Sequence, residues 1–215
     1  MTERFTDTLR RQNAPAWAAT VEHRFVLELC EGRVADTVMA RYLVQDHRFL
    51  DSFLTLLGAA IASADSFDAR LRLGRFVGLI AGEENTYFLR AFEALGVSEA
   101  QRHSPEDAVP TAGFKALMRE AAQTRCYAAA LSVLVVAEWL YLDWASHAPQ
   151  PLPTRFEHAE WITLHDNPAF REVVAFLRAE LDRVGPERAE ISQDFFQRAV
   201  ALEHAFFDAA YAEEA

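Results

Sequence analysis

Cysteine, glycine, proline and positive charge are all in short supply in this sequence, and each shortage removes a class of protein. Two cysteines, Cys30 and Cys126, cannot build a disulfide framework. Eight glycines and eight prolines provide no glycine-rich phosphate loop and no G-x-S-x-G elbow, and no zinc-ligand spacing is present. A formal net charge of −11 leaves no basic footprint for nucleic acid, so no nucleic-acid partner is expected. Although 51% of the chain is hydrophobic, no uninterrupted apolar run reaches the ~18 residues of a membrane span. The opening stretch "MTERFTDTLR" is charged and has no signal-peptide apolar core. A soluble, cytoplasmic protein without a membrane partner is the expectation.

What remains is helix. The 215 residues suffice for one sizeable core, and apolar residues recur with a 3.6-residue period almost throughout. The pattern predicts helices over 5–30, 36–63, 66–95, 98–101, 111–124, 126–147, 153–164, 168–183 and 187–213. Breaks fall at "EGRVAD" (31–36), "LGVS" (95–98), "HAPQPLP" (147–153), "HDNP" (165–168) and "RVGPE" (183–187), where glycine, proline and capping residues gather. No strand alternation, repeat or linker interrupts this order. The expected fold is therefore a single all-α domain over residues 1–215, a helical bundle.

Four of these helices carry an acid where an apolar residue belongs. Residues at i−4, i−3, i+3, i+4 and i+7 share a helical face with residue i. Around Glu138 that face holds Leu131, Leu134, Val135, Tyr141, Leu142 and Ala145. Asp46 sits among Met39, Tyr42, Leu43, Phe49, Leu50 and Phe53. Glu203 has Phe196, Ala199, Val200, Phe206, Phe207 and Ala210 around it, and Glu84 has Val77, Ile80, Ala81, Tyr87, Phe88 and Ala91. A single such acid reads equally well as an ion-paired core residue, because a buried carboxylate is costly without a partner. Four on separate helices point to a shared polar pocket inside an apolar shell.

Two chemistries fit four acids in a helical frame. A carboxylate-bridged di-metal site draws on Glu and Glu-x-x-His ligands, but the i+3 positions here are Phe49, Tyr87, Tyr141 and Phe206. Rings stand where a metal site wants imidazole. Acids beside aromatic faces instead suit a flat, nitrogen-rich ring, whose amines donate to the carboxylates while its faces stack.

Five segments taken together resemble the TenA, or thiaminase II, family, which has the haem-oxygenase-like all-α fold. They are "HRFVLELCEGRV" (23–34), "RYLVQDHRFLDSF" (41–53), "EENTYFLRAFEALGVS" (83–98), "EWLYLDW" (138–144) and "EHAFFDAAY" (203–211). Their order and spacing cover nearly the whole chain. The resemblance implies cleavage or deamination of pyrimidines related to the thiamine precursor, in salvage of degraded vitamin. It implies no cofactor or metal, and a homodimer or homotetramer. Trp17, Trp144 and Trp161 are aromatics that one subunit has difficulty enclosing, which agrees with an oligomer. Asp46 falls where the family's Asp grips the ring nitrogen and exocyclic amine. Tyr141 falls on a pocket tyrosine, and Glu203 on the Glu that handles protons. Phe49 replaces a tyrosine, and Glu84 and Phe206 complete the expected substrate contacts.

The departures matter as much. Anchored on Trp139-Leu140-Tyr141, the position of the family's nucleophilic Cys is Ala137, with Glu138 beside it. The chain therefore resembles a branch that lacks the Cys and carries a Glu here. Cys30 and Cys126 read as small core residues. His165 replaces a usual tyrosine, and its type fits either a donor to substrate or a cap or surface residue at the end of its helix. The expected catalytic set is Asp46, Glu138 and Glu203. Two alternatives stand beside it. One is a haem-oxygenase-like di-iron oxygenase using Glu84, Glu138 and His165, although no convincing Asp-x-x-x-His and no second helical His near His165 accompany them. The other is a pyrimidine-binding or regulatory protein without catalysis. For haem, His23 is the N-terminal candidate ligand, and the resemblance makes it structural.

Overall fold

The computed structural model describes residues 3–103 and 106–212. Among them there are helices and no strand. At the centre lies α9 (Tyr127–Ala145), of which all but Leu142 and Asp143 is buried. A helix apolar on every side has no solvent face and must be surrounded. It packs against α11 (Pro168–Val184) and α12 (Ala189–Ala209), and also touches α4 (Asp36–Ser63) and α8 (Val109–Gln123). Its length and mean hydropathy would also satisfy a membrane span, which the absence of an uninterrupted apolar run had argued against. The burial identifies it as the core helix of the bundle.

The outer helices obey the amphipathic rule. On α4 the buried residues Met39, Tyr42, Leu43, Asp46, Leu50, Phe53, Leu56, Leu57 and Ala60 follow the 3-and-4 spacing. The start of α11 is set by Asn167, whose Oδ1 accepts from the Phe170 N–H at 2.9 Å, with Pro168 in the first turn, where its missing donor costs nothing. Helix α10 (Phe156–His165) packs against the C-terminal part of α9, and α7 (Glu99–Arg102) is a single turn. The chain turns through Gly32 and Gly96, at φ +69° and +67°. These are left-handed positions that favour glycine.

Four expectations need correction. The helix predicted over 5–30 is three helices, α1 (Phe5–Gln12), α2 (Ala14–Val21) and α3 (Arg24–Cys30). Pro15 is tolerated only in the first turn of a helix, so α1 ends before it. His23 then leaves the helical region at φ −62°, ψ 147°, and its Nδ1 caps α3 by accepting from Phe25 N–H at 3.0 Å. The helix predicted over 66–95 is α5 (Phe67–Leu79), a π turn (Ile80–Glu84) and α6 (Asn85–Ala94). Trp17, Trp144 and Trp161 are each at most 2% exposed, so one subunit encloses all three and they lend no support to an oligomer. The last helix, predicted to run to 213, ends at Ala209; residue 213 itself lies outside the described residues.

Candidate active site

The four acids converge. A cavity of about 40 Å³ lies against α9. From α4 it is lined by Asp46, Phe49, Leu50 and Phe53, and from α9 by Ala137, Glu138 and Tyr141. The π turn contributes Glu84, α8 Phe114, α10 Trp161 and His165, and α12 Glu203 and Phe206. All eight residues singled out in the sequence are therefore in the lining. Phe114 and Trp161 were not singled out as site residues, because an aromatic on a core face carries no local sign of a pocket.

The register of each helix explains the convergence, and Glu84 is the instructive case. An unbroken α-helix through this segment would bury Ala81 with Glu84, yet Ala81 is exposed while Ile80, Tyr87, Phe88 and Ala91 are buried. The Asn85 N–H reaches back to the Ile80 carbonyl, a π-type i→i−5 bond. The widened turn changes the helix phase between α5 and α6 and leaves Glu84 half-buried at the cavity wall. Asn85 is also tied to α4, its Oδ1 lying 3.1 Å from His47 Nε2.

Burial governs the electrostatics. Glu203 is 2% exposed and Asp46 and Glu138 less than a tenth. Loss of solvent pushes the carboxyl groups of all three well above the usual carboxylate range. The Glu84 charge raises Asp46 further, while the Tyr42 hydroxyl opposes that rise. Glu138 is raised by the charges of Glu84, Glu203 and Asp46, and Glu203 by that of Asp46. Glu84 is pushed up to about 7 by desolvation. Such a group of acids titrates as a set and holds protons at neutral pH. No arginine, lysine or backbone donor offsets Glu84, Glu138 or Glu203.

The rings around the acids are fixed. The Tyr42 and Tyr141 hydroxyls bond to each other at 2.7 Å. The His165 ring lies 4.8 Å from Tyr141 and 4.4 Å from Trp161, centroid to centroid. Its Nδ1–H donates to the Trp161 carbonyl at 2.8 Å, and burial holds its pKa down to about 4. The neutral ring therefore keeps its free Nε2 as an acceptor. His165 caps the end of α10, one of the two readings of its type, and it also lines the cavity, with Nε2 free to accept.

Neither cysteine lines the cavity. Burial pushes the Cys30 thiol up to about 11, away from nucleophilic use. Ala137 does line it, beside Glu138. No three of the cavity's carboxylate and imidazole ligand atoms come within 4.8 Å of one another; the group that does, among the described residues, is His23, His204 and Asp208. There the His23 Nδ1 already accepts Phe25 N–H, so its neutral Nε2 carries the proton and donates to Asp208 at 3.1 Å. That cluster is a capped hydrogen-bond chain, and the same bonding makes His23 a structural residue. The cavity acids surround a gap instead of converging on a point.

An all-α bundle with an internal pocket of acids and aromatic rings defines the class of this protein. A family description, "TENA/THI-4/PQQC family", matches residues 10–213, and the chain belongs to that family. It is 21% identical to a protein named aminopyrimidine aminohydrolase from Halalkalibacterium halodurans, over 97% of this chain and 96% of that one. Among solved structures, a TenA homologue from P. horikoshii OT3 superposes with a TM-score of 0.88 at 20% identity, covering 97% of this chain and 99% of the other. A TenA family transcription regulator from Silicibacter sp. TM1040 gives 0.85 at 20% identity, covering 96% of each chain. These likenesses agree with the single all-α domain read from the sequence.

Proposed function

We propose that the protein hydrolyses an aminopyrimidine or formylaminopyrimidine related to thiamine breakdown, by carboxylate acid–base catalysis without a cysteine nucleophile. The observation that carries this reading is the ring of four acids, three of them without a donor, set around a small aromatic gap. A flat amine-bearing ring brings the donors these oxygens lack, and its faces meet Phe49, Phe206 and Tyr141. The likeness to a protein named aminopyrimidine aminohydrolase supports the same substrate class.

Asp46 holds the ring nitrogen and exocyclic amine. Of Glu138 and Glu203, the neutral acid gives its proton to the departing amine. The ionised partner takes a proton from water as that water attacks the activated carbon. The carbon–nitrogen bond breaks, the amine leaves as ammonia, and the two carboxyl groups have exchanged roles. Ala137, in the lining where a thiol would stand, leaves room for that water. Purified protein incubated with a panel of aminopyrimidines should release ammonia, and a Glu138→Gln, Glu203→Gln double variant should not. Full turnover by the double variant would sink the scheme.

A further inference from the structure

Tyr42 stands behind the cavity wall. It is 1% exposed and does not line the cavity, yet its hydroxyl meets that of Tyr141, a lining residue, at 2.7 Å. On α4 it precedes Asp46 by one turn on the same buried face. Among the groups that act on Asp46, it alone pulls the carboxyl down, against burial and the Glu84 charge. The Tyr42 ring packs against Phe25 at 4.3 Å and edge-on against Phe206 and Trp161 at 5.6 and 6.0 Å, centroid to centroid. A phenol clamped in this way moves little more than its O–H. Burial keeps both phenols protonated at neutral pH. The pair thus has two protons to place, and one goes into the bond between the hydroxyls. The other leaves the pair at one end, either from Tyr42 to Asp46 or from Tyr141 into the cavity.

We infer that Tyr42 is a positioning residue for Asp46: Tyr141 donates to Tyr42, and Tyr42 donates to the Asp46 carboxylate formed when an amino-heterocycle takes that acid's proton. This rests on the pyrimidine reading above and adds to it a residue that does not touch the substrate. In the transfer the Asp46 O–H bond breaks and an N–H bond forms at a ring nitrogen. The two carboxylate oxygens, with about four lone-pair sites between them, then accept the ring N–H, the exocyclic amine and the Tyr42 O–H. Charge decides the direction of the chain, because a donor turned to an anion is stronger than one turned to a neutral group. With the opposite direction, the buried carboxylate would have no donor on its inner side, and the proton would stay on Asp46. Tyr141 therefore presents lone pairs, not a proton, to the cavity once the ring is bound.

Difference infrared spectroscopy and calorimetry with 4-aminopyrimidine test this; that ring has the nitrogen and amine that Asp46 grips and no second amine to lose. In wild type, binding should remove a protonated-carboxyl band and add a carboxylate band. Both changes should vanish in Asp46→Asn, which assigns them. Tyr42→Phe keeps the ring and deletes one oxygen. It should bind the probe about tenfold more weakly, as loss of a hydrogen bond to a charged group gives, and should show no ionisation of Asp46. Tyr141→Phe leaves Tyr42 its own proton, so the ionisation should persist and affinity should fall by no more than about threefold. Thermal unfolding checks that the variants fold. A residue that only packs would lower affinity without altering the bands, so wild-type band changes in Tyr42→Phe would overturn its role. So would loss of the ionisation in Tyr141→Phe alone, or binding to wild type with no ionisation of Asp46. Each of these leaves the pyrimidine reading standing, whereas no binding of the probe to wild type would overturn both.

Discussion

Glu138 and Glu203 are held against their own preference, and that makes them separable from the fold. Their carboxyl pKa is raised above the unfolded value, so the folded protein binds protons the unfolded chain releases. The associated stability is full below the unfolded carboxyl range and is lost as pH rises through the folded values. Glu138→Gln or Glu203→Gln should therefore raise the unfolding midpoint relative to wild type at pH 8, by a margin that shrinks at pH 5. Thermal unfolding at the two pH values checks this, and the expected gain is a few degrees, on the scale of ~2–4 °C per kcal/mol for chains of this size. The same single variants should lower kcat by about 10²–10⁴, measured as ammonia release. Glu84, at about 7, should give kcat/KM a pH dependence near neutrality. After correction for the substrate's own titration, that limb should be missing in Glu84→Gln. Replacing both cysteines by serine should leave activity within about twofold, since neither thiol faces the site. Helical periodicity revealed the acids because each sits at the middle of an apolar face. The sense of His165 was hidden, because it depends on which ring nitrogen the Trp161 carbonyl takes.

Among the elements, the π turn at Ile80–Glu84 has the clearest effect on the site. Removing Ala81, which is exposed, should restore an α-helical register and rotate Glu84 by about 100° relative to α5. Helical content by circular dichroism should be kept, while affinity for an aminopyrimidine falls by about tenfold or more. An unchanged affinity would mean that Glu84 is not positioned by the turn. The sequence "IAGEE" has no proline and a period that continues on both sides, so nothing local announces the extra residue. The split of 5–30 was more legible: Pro15 and the extended His23 mark it, and the apolar pattern on either side hid it. The other helix ends match the pattern or differ from it by at most three residues, the ordinary play of caps.

Across the whole molecule, burial of neutral histidine sets a lower pH limit. His158 is fully buried with neither ring nitrogen bonded among the described residues, and desolvation lowers its pKa, as it does that of His165. For a depressed histidine, stability is full above the unfolded value of 6.5 and is lost as pH falls below it. The unfolding midpoint should drop between pH 7 and pH 5, and the drop should be smaller in His158→Gln, read by thermal unfolding against wild type. The bundle itself was readable because α9 is apolar all round and its neighbours are apolar on one side. The packing that brings Phe114 and Trp161 to the cavity is a tertiary fact with no counterpart in local periodicity.

The central helix also constrains how the chain can be made. Residues 127–145 leave the ribosome before α11 and α12, the helices that pack most extensively on them, have emerged. For that interval the nascent chain displays a segment apolar enough to pass for a membrane anchor, with only the earlier helices to shelter it. Folding must therefore wait for the last third of the sequence, and truncation before α12 should yield chaperone-bound or aggregated protein in place of a smaller soluble bundle.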